Sequence, residues 1–379
     1  MAKTKSARAK GGKTSAAKKA SRKAVRRAPS RSAVKARHSA AKPARGPAHD
    51  LPPQAVLMQS LFGMSVSKSL SAVAALGVPD ALKSGPLYYT DLAEAVGANQ
   101  RALHRVMRML SGIGMFAEPR PGTYSLTPVS DLLRSDVPGS MRDMAVMITA
   151  RSHWEPWGKL EEVLRTGASG AQHAFGTDVF TWFQAEENKG EWAIFNAAMT
   201  SFSMSTAHAV VASVAFSGFA SIVDIGGGHG YLLNAILAAA PHAKGTVYDL
   251  PGVVDSARPL DRITFVGGDF FANVPAGGDC YVLKHIIHDW SDGQCVTILS
   301  NIARALAAKG RVFVIERVMP ETPEAHPAKF MDVNMLAMTE GGCERTEKEY
   351  AALFRKAGLR LVQVHPTQSQ VSVVEAKRA

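Results

Sequence analysis

A glycine-rich run between a buried strand and a helix restricts the fold more than any other feature of this chain. Residues 221–225 (SIVDI) have the pattern of a strand, and GGGHG (226–230) follows directly before a helical segment. Glycines at such a junction permit a tight turn and let the backbone approach a ligand closely. The spacing differs from the G-x-G-x-x-G of dinucleotide sites, because Tyr231 occupies the position of the third glycine. The run predicts an α/β domain with a ligand site at the end of this strand.

Three acids stand at the ends of three successive strand candidates. Asp224 precedes the first glycine by two residues, Asp249 ends the next run, and Asp269 follows the third run and precedes Phe270. A carboxylate at the second position can accept hydrogen bonds from both hydroxyls of a ribose. An acid next to aromatic residues can bind the amino group of an adenine and flank its ring. Asp224 disfavours a pyrophosphate, so the set predicts a nucleoside cofactor with a cationic amino-acid group.

Short apolar runs alternate with helical segments from residue 221 to the end of the chain. Runs that are apolar on both faces and separated by helices are typical of a parallel, doubly wound sheet. The last two runs are close enough in sequence to form an antiparallel hairpin at the sheet edge. The seven strand candidates are 221–225, 245–250, 263–268, 280–285, 311–317, 359–366 and 369–376.

The segment LKHIIHDWSD (283–292) follows the fourth strand candidate and contains the strongest candidate for a base, His288. Imidazole accepts a proton near neutral pH, as the attack of a hydroxyl on an activated methyl group requires. Glu316 and Glu344 are carboxylates that could bind one ring nitrogen and fix the tautomer. Asp289 could orient a ligand or cap the next helix instead.

The histidines of the same segment could also form part of a metal site. His285 and His288 lie at a strand-to-helix junction rather than on one helix, and no other His or Cys cluster accompanies them in the sequence. We therefore predict no metal. The three cysteines are far apart and match neither a disulfide scaffold nor a zinc motif, so a reducing cytoplasm is the expected location.

Residues 55–82 have the periodicity of a helix that ends at Gly77-Val78-Pro79, and a compact pattern of shorter elements follows. Residues 89–91 (YTD) and Asn99 are expected to cap two short helices, and PRPGTYSLTP (119–128) is expected to form a hairpin. This order suggests a winged-helix-like unit. Four basic side chains on the second helix permit a DNA-binding interpretation: Arg101, His104, Arg105 and Arg108. The apolar residues of that helix favour dimerisation or a role in shaping the substrate site.

Residues 140–216 are rich in aromatic residues and methionine, and they are expected to be mostly helical. Such a segment is either ordinary core or a lid over a flat apolar ligand, since both residue types adapt to rings. The sequence does not distinguish the two alternatives.

The net charge of +12 is concentrated in the first 49 residues, which contain 16 of the 44 Lys and Arg and none of the 32 Asp and Glu. The rest of the chain is slightly acidic. The segment lacks large apolar residues, so we predict a disordered tail. It could contact nucleic acid non-specifically, serve as a transit peptide, or have no partner. No apolar run is long enough for a membrane span, and none at the N-terminus resembles a signal peptide.

Five motifs, in this order and spacing, carry a resemblance to a known family: VDIGGGHG, YDLPGVV, GGDFF, LKHIIHDWSD and GGCERT. From about residue 55 to the end, the chain resembles the plant-type O-methyltransferases, which include caffeate and acetylserotonin enzymes and bacterial hydroxyneurosporene enzymes. The resemblance implies S-adenosyl-L-methionine as cofactor and a homodimer. It also implies two domains: a winged-helix-like dimerisation domain at 50–150, and a Rossmann-like catalytic domain at 151–379 with a helical lid to about 216. The basic tail at 1–49 is not a feature of the family.

The resemblance also assigns roles to individual positions. His288 would be the general base, flanked by Glu316 and Glu344. The positions implied to bind the cofactor are Gly226, Gly228, Asp249, Asp269, Phe270, Lys284 and Ser203. The positions implied to line the acceptor pocket are Phe195, Met199, Phe202, Met335 and Thr339.

The predicted function is methyl transfer to a hydroxyl of a small aromatic, polyketide or polyene molecule. The chain departs from plant members at His285, where they often carry Trp, and in its acceptor-pocket residues, so the substrate stays open. Two alternatives are a non-methylating relative, such as a decarboxylase or hydroxylase, and a nucleic-acid-binding regulator that uses the tail and the winged helix. The intact His288, Glu316 and Glu344 count against the first of these.

Overall fold

The computed structural model describes residues 51–379. By its internal contacts the chain divides into two units, residues 1–56 and 57–379, and the features below belong to the second. The predictions of a disordered tail and of a nucleic-acid contact at residues 1–49 lie outside the described residues. No helix of the described part is long and apolar enough to cross a membrane.

The segment at 55–82, predicted as one helix, is divided into three: α1 (Pro53–Leu61), α2 (Gly63–Ala75) and α3 (Val78–Ala81). Gly77 follows α2 with a left-handed φ of +74° and begins the turn into α3. Few residues other than glycine adopt this conformation, so the chain changes direction here. The end of the helix at Gly77 was predicted correctly, but the break at Phe62 between α1 and α2 was missed, because apolar periodicity does not detect it.

A small antiparallel sheet and two helices follow in the predicted order. The elements are β1 (Leu87–Tyr88), α4 (Tyr89–Ala95), α5 (Gln100–Gly112), β2 (Ala117–Arg120) and β3 (Thr123–Ser125), with strand order β1-β3-β2. The Asn99 side chain accepts a hydrogen bond from the backbone N–H of Ala102, which confirms its predicted cap. The cap predicted at 89–91 was wrong, because these residues form the first turn of α4 itself.

Leu103, Met107 and Leu110 are the buried face of α5, and they pack with residues of α2 to α4 in one hydrophobic cluster. The basic side chains of Arg101, Arg105 and Arg108 are exposed on the same helix. The helix is therefore fully explained as a packed element of this N-terminal region.

Seven helices connect this region to the main sheet. They are α6 (Pro128–Asp131), α7 (Arg142–Met147), α8 (Arg151–Trp157), α9 (Leu160–Thr166), α10 (Gly170–Phe175), α11 (Val179–Gln184) and α12 (Lys189–Ser213). Part of their aromatic content is core: Phe175 stacks on Trp182 with ring centroids 4.3 Å apart, and Phe183 is buried. Other side chains, such as Phe195 and Met199, line cavities. The aromatic segment therefore forms core at some residues and lines cavities at others.

The C-terminal part contains a seven-stranded sheet with helices on both faces. Its strands are β4 (Ser221–Ile225), β5 (Lys244–Asp249), β6 (Ile263–Gly267), β7 (Cys280–Lys284), β8 (Arg311–Glu316), β9 (Leu359–Pro366) and β10 (Ser372–Arg378). Its helices are α13 (Tyr231–Ala239), α14 (Pro251–Val254), α15 (Asp292–Ala305), α16 (Pro327–Met338) and α17 (Glu347–Lys356).

The strand order β6-β5-β4-β7-β8-β10-β9 confirms the predicted doubly wound sheet. The first five strands are parallel, and β9 and β10 form the predicted antiparallel hairpin at one edge. The chain runs outward from β4 in one direction through β5 and β6, then returns to add β7 on the other side. Ligands of such sheets bind outside the carboxyl ends of the strands at this reversal point, where the glycine-rich run lies.

Candidate active site

Two adjoining cavities lie at the carboxyl edge of the parallel strands. The first, of about 540 Å³, is bordered by the residues that follow β4, β5, β6 and β7, and we call it the cofactor cavity. The second, of about 690 Å³, is bordered by side chains of α7, α12 and α16, and we call it the acceptor cavity. His285, Asp289 and Thr339 line both cavities, so these side chains stand at the junction between them.

The glycine run forms one wall of the cofactor cavity in a conformation that excludes most other residues. Gly226 and Gly228 have φ angles of +67° and +56°. A Cβ atom on Gly226 would lie 2.3 Å from Cδ1 of Ile286, whereas a Cβ on Gly228 would meet no atom within 4 Å. The first glycine therefore permits close packing of two loops, and the second leaves open space beside the cavity.

Asp249 connects the glycine run to the end of β5. Its Oδ2 accepts a 2.8 Å hydrogen bond from the backbone N–H of Gly228, and its Oδ1 accepts one of 2.7 Å from Leu250. These bonds fix the carboxylate, and each oxygen keeps a second lone pair. The group is thus oriented to accept further bonds from hydroxyls of a ligand in the cavity.

Asp224, which is buried, and Lys284, which is half-buried, line the cofactor cavity and act on each other through their charges. Burial raises the pKa of Asp224 to about 7 and lowers the pKa of Lys284 to about 8. Asp224 Oδ2 is buried and has no hydrogen-bond partner among the described residues. Such an orphaned oxygen is costly unless a ligand supplies a donor. A ligand with both an ammonium and a carboxylate group would match this pair.

Asp269 and two phenylalanines border the opposite end of the cofactor cavity. Asp269 Oδ1 accepts a 2.8 Å bond from the backbone N–H of Phe271, and the rings of Phe270 and Phe271 lie 4.9 Å apart. Asn301 on α15 donates to the carbonyls of both phenylalanines at 2.8 and 2.9 Å. The sequence analysis missed Asn301, because an amide in the middle of a helix gives no signal of what it binds.

His288 lies in a 3₁₀ turn directly after β7, with its ring held by buried carboxylates. Its Nδ1 is 2.9 Å from Oε1 of Glu344 and 3.3 Å from Oε2 of Glu316. Its Nε2 lies 3.6 Å from Oδ1 of Asp289. If Nδ1 carries the proton toward the carboxylates, Nε2 presents a lone pair, and the ring lines the acceptor cavity. The geometry is that of a base held in a fixed tautomer.

Glu316 holds the backbone of the turn as well as the imidazole. Its Oε1 accepts hydrogen bonds from the backbone N–H groups of Ile286 and His288, at 3.1 and 3.3 Å. Its Oε2 is 3.1 Å from Nδ1 of His285. Glu344 is therefore the nearest hydrogen-bond partner of the His288 ring, and Glu316 is mainly an anchor for the segment that carries it.

Arg345 closes the same turn from the other side, and the sequence analysis did not single it out. Its guanidinium donates to the carbonyls of Ile287 and Trp290 at 2.8 Å each and pairs with Asp292 at 3.0 Å. Asp292 begins α15, so the arginine connects the turn to that helix. This fully bonded, buried guanidinium fixes the loop on which His288 lies.

Burial raises the pKa of all three carboxyl groups around His288. The pKa of Glu316 and of Asp289 is raised to about 7, and that of Glu344 to about 8. Removal from water disfavours the charged form of an acid. Near neutral pH this cluster therefore holds protons that exposed carboxyl groups would have lost.

His285, the residue that follows β7, has an unusual backbone. Its φ is +55°, which is rare for a residue with a Cβ. Its ring lies 5.0 Å from that of His288, its Nε2 is buried without a partner among the described residues, and burial lowers its pKa well below the usual value. The side chain is thus a neutral imidazole between the two cavities.

His285, His288 and Glu316 place one ligand atom each within 4.8 Å of one another, so this group could hold a metal ion. In this cluster, Nδ1 of His285 and Nδ1 of His288 approach Glu316. We have assigned both nitrogens to hydrogen bonds with carboxylates. That no metal is bound stays a prediction.

The remaining predicted site residues line one or both cavities or are buried behind the base. The cofactor cavity is lined by Gly226, Gly228, Asp249, Asp269, Phe270, Lys284 and Ser203. The acceptor cavity is lined by Phe195, Met199, Phe202, Met335 and Thr339, together with His288. Glu316 and Glu344 are buried behind the base. Phe195, Met199 and Thr339 line the cofactor cavity as well, so the two predicted sets meet at the junction of the cavities, with the base beside it.

Models of known families match most of the described chain. The O-methyltransferase domain matches residues 157–360, and the O-methyltransferase dimerisation domain matches residues 58–136. The chain belongs to the O-methyltransferase family. The second match contains the whole winged-helix-like unit, so that unit is part of a dimerisation domain.

Individual relatives agree with this assignment over nearly their full length. The chain is 37% identical to phenazine O-methyltransferase PhzM of Lysobacter antibioticus, over 86% of this chain and 97% of that protein. It is 37% identical to mitomycin biosynthesis 6-O-methyltransferase of Streptomyces lavendulae, over 84% and 93% respectively. The crystal structure of CalO1, a methyltransferase in calicheamicin biosynthesis with SAH bound, has a TM-score of 0.76 at 33% identity and covers 86% of this chain and 98% of that one.

This protein is accordingly an S-adenosylmethionine-dependent O-methyltransferase, with a dimerisation domain that precedes a Rossmann-like domain. The family resemblance carried by the five sequence motifs is confirmed. The domain limits at residues 50, 150 and 151 and the roles of single residues stay predictions.

Proposed function

We propose that this enzyme methylates a hydroxyl group on a compact, flat aromatic or polyketide-type molecule, with His288 as the general base. One observation carries the proposal: the His288 ring is tied through Nδ1 to a buried glutamate at 2.9 Å, and it faces an apolar cavity next to the cofactor cavity. A base in this position can remove the hydroxyl proton as the oxygen attacks.

The residues of the cofactor cavity fit S-adenosylmethionine from one end to the other. The orphaned Oδ2 of Asp224 would accept from the ammonium group, and Lys284 would bind the carboxylate. Asp249 would accept bonds from the ribose, and Asp269 with Phe270 would hold the adenine. When bound, the cofactor supplies an electrophilic methyl group on a sulfonium.

His288 would take the proton on Nε2 while Nδ1–H stays bonded to Glu344. The imidazolium that forms is stabilised by the negative charge of the glutamate when that group is ionised. Glu316, through its bonds to two backbone N–H groups, would hold the turn so that Nε2 faces the acceptor. We assign it a positioning role.

The acceptor cavity favours a ring system of moderate size. Its volume of about 690 Å³ lies within the range of about 300–1,000 Å³ for small-molecule sites. Methionines from three helices (Met144, Met199 and Met335) line it, and such side chains adapt to planar rings. The relatives named for phenazine and mitomycin biosynthesis support an acceptor of this kind.

Replacement of the base tests the proposal directly. We expect His288→Ala to lower methyl transfer by about 10²- to 10⁴-fold, because a general base contributes that much, while affinity for S-adenosylhomocysteine is kept. Radiolabelled cofactor with phenolic probes such as hydroxyphenazines would measure transfer, and titration calorimetry would measure binding. His208→Ala, an exposed histidine of α12, is the matched control. Undiminished transfer by His288→Ala would exclude this residue as the base.

We further propose that the enzyme is a homodimer that works in the cytoplasm. The match to the dimerisation domain supports the first point, and three free thiols support the second. A non-specific contact of residues 1–49 with nucleic acid also stays a prediction, which rests on their charge alone.

A further inference from the structure

Arg317 is a buried cation that lines the acceptor cavity and that the mechanism above does not use. It follows β8 directly, and only 4% of its surface is exposed. Its Nη2 donates a 3.2 Å hydrogen bond to Oε1 of Gln370, and its Cζ lies 5.1 Å from the ring centroid of Phe202. Among the described residues no carboxylate oxygen lies within 4.0 Å of it. One donor of five is therefore bonded within the protein.

Arg345, a buried arginine of the same site, makes more hydrogen bonds to protein groups than Arg317 does. Arg345 is 1% exposed, and its guanidinium is bonded to three backbone carbonyls and one carboxylate. A buried charge is costly unless it is paired and hydrogen-bonded. Arg345 meets that requirement with protein groups, and Arg317 does not. The unused donors of Arg317 border a cavity that a ligand can enter.

Glu316 and Glu344 act on Arg317 through their charges but do not form ion pairs with it. Both favour its protonated form, whereas burial lowers its pKa from the usual value. The guanidinium stays charged, since its pKa begins far above neutrality. A cation in this position can attract an anionic group of the acceptor toward the end of β8.

We propose that Arg317 binds a carboxylate of the acceptor, so that the natural substrate is an aromatic hydroxy acid. This rests on the proposed function, because it places the acceptor in the same cavity. A planar guanidinium matches the two oxygens of a carboxylate. The Phe202 ring lies 5.1 Å both from the guanidinium and from the ring of His285, which stacks on His288. A single flat molecule along Phe202 can therefore present a carboxylate to Arg317 and a hydroxyl to the base.

The test is a binding experiment with matched probes. The probes are 3-hydroxy-2-naphthoic acid and 6-hydroxy-2-naphthoic acid, their carboxamides, and 2-naphthol, each titrated into protein loaded with S-adenosylhomocysteine. We expect at least one acid to bind about 10-fold or more tightly than its amide. Arg317→Gln should remove that preference and leave amide affinity within about threefold, as expected for the loss of one charged hydrogen-bonded pair. Arg317→Lys should keep part of the preference for acids over amides.

The controls separate this proposal from its alternatives. Arg165→Gln, at an exposed arginine of α9, should bind every probe like the unaltered protein, and the affinity for S-adenosylhomocysteine checks that each variant is folded. Equal binding of acids and amides by the unaltered protein would overturn the proposal. The proposal would also be overturned if Arg317→Gln kept the preference for acids and changed only the pH dependence of methyl transfer. In that case the arginine would only balance the charge of Glu344.

The outcome is independent of the proposed base. Binding is measured without methyl transfer, so His288→Ala should show the same preference for acids. If His288→Ala retained turnover, the assignment of the base would fail while the preference for carboxylates could still hold. If the preference is absent while His288→Ala is inactive, the proposed function stands and the role of Arg317 falls.

Discussion

At the scale of single residues, several buried polar groups of the site have atoms with no hydrogen-bond partner among the described residues. Asp224 has an orphaned oxygen, His285 has an orphaned nitrogen, and Glu344 holds its proton to about pH 8. Each of these states costs stability in the empty protein. They are concentrated around the two cavities, which is where strained and unsatisfied groups serve binding and catalysis.

Glu344 provides a prediction on pH. Its pKa is raised to about 8, so its carboxyl group is largely protonated at pH 6 and becomes ionised as the pH rises through 8. Only the ionised form stabilises the imidazolium, so methyl transfer should rise over this interval. Glu344→Gln should lower transfer by about 10- to 100-fold at pH 8.5 and flatten the profile, because the amide has no charge to gain. Single-turnover rates from pH 6 to 9 measure this, and an equally steep profile in the variant would contradict it.

Asp224 provides a prediction on stability. Its pKa is raised to about 7, so the folded protein holds this proton more tightly than the unfolded chain, and stability falls as the pH rises from about 4 to 7. At pH 9 Lys284, with a pKa of about 8, is mostly neutral and leaves the carboxylate uncompensated. Asp224→Asn should therefore raise the melting temperature of the ligand-free protein more at pH 9 than at pH 5.

The same change should weaken S-adenosylmethionine binding by about 10-fold or more, because a charged acceptor is lost. Thermal unfolding at the two pH values and titration calorimetry measure the two effects. Unchanged affinity would show that Asp224 does not contact the cofactor, and a lower melting temperature at pH 9 would show that its charge is compensated in the folded state.

At the scale of elements, the turn from β4 to α13 must pack closely against a neighbouring loop and must also leave space beside the cofactor cavity. Gly226 meets the first requirement, and Gly228 meets the second. Gly226→Ala forces a Cβ to 2.3 Å from Ile286 at a left-handed φ, so it should lower the free energy of unfolding by about 2–4 kcal/mol. Gly228→Ala adds a Cβ in open space, so only the backbone cost of about 1–2 kcal/mol is expected.

The two variants are controls for each other. The Gly228 methyl group would project beside the cofactor cavity, so Gly228→Ala should lose S-adenosylmethionine affinity out of proportion to its small loss of stability. Urea unfolding and calorimetry on both variants provide the comparison. If Gly228→Ala binds the cofactor like the unaltered protein, the loop does not approach the ligand at this position.

Elements were predicted from the sequence best where one local pattern sufficed. The ends of β4 were predicted correctly, and β5 to β8 were predicted to within a residue at either end, since buried runs bounded by glycines and acids determine them. The break at Phe62 was missed, and β10 begins at Ser372 rather than at residue 369. The break in the helix depends on backbone angles, and the start of β10 depends on its pairing with β8. Apolar periodicity records neither of these.

At the scale of the whole molecule, the dimerisation domain leaves a row of large apolar side chains exposed on α1 and α2. Met58, Leu61, Phe62 and Met64 are 47–65% exposed. Contiguous exposed apolar side chains indicate an interface. We expect the unaltered protein to behave as a dimer, and Leu61→Glu combined with Met64→Glu to shift it to a monomer.

Light scattering coupled to gel filtration measures the mass of both proteins. Val362→Glu is the matched control, because Val362 is an exposed apolar residue of β9, outside the dimerisation domain. A monomeric unaltered protein would contradict the expectation of a dimer. A dimer that survives both changes on α1 and α2 would place the interface elsewhere.

The sequence by itself determined the class of the protein and most of its cofactor site. The glycine run, Asp249 and Asp269 are each defined by their position relative to one strand, and parallel strands bring their carboxyl ends to the same edge. The tertiary structure alone decided how the buried charges are paired. Glu344 lies 56 residues from His288, and Arg317, Gln370 and Phe202 come from three separate elements. Hydrogen bonds and desolvation depend on distances of a few ångström, which spacing along the chain does not fix between elements so far apart.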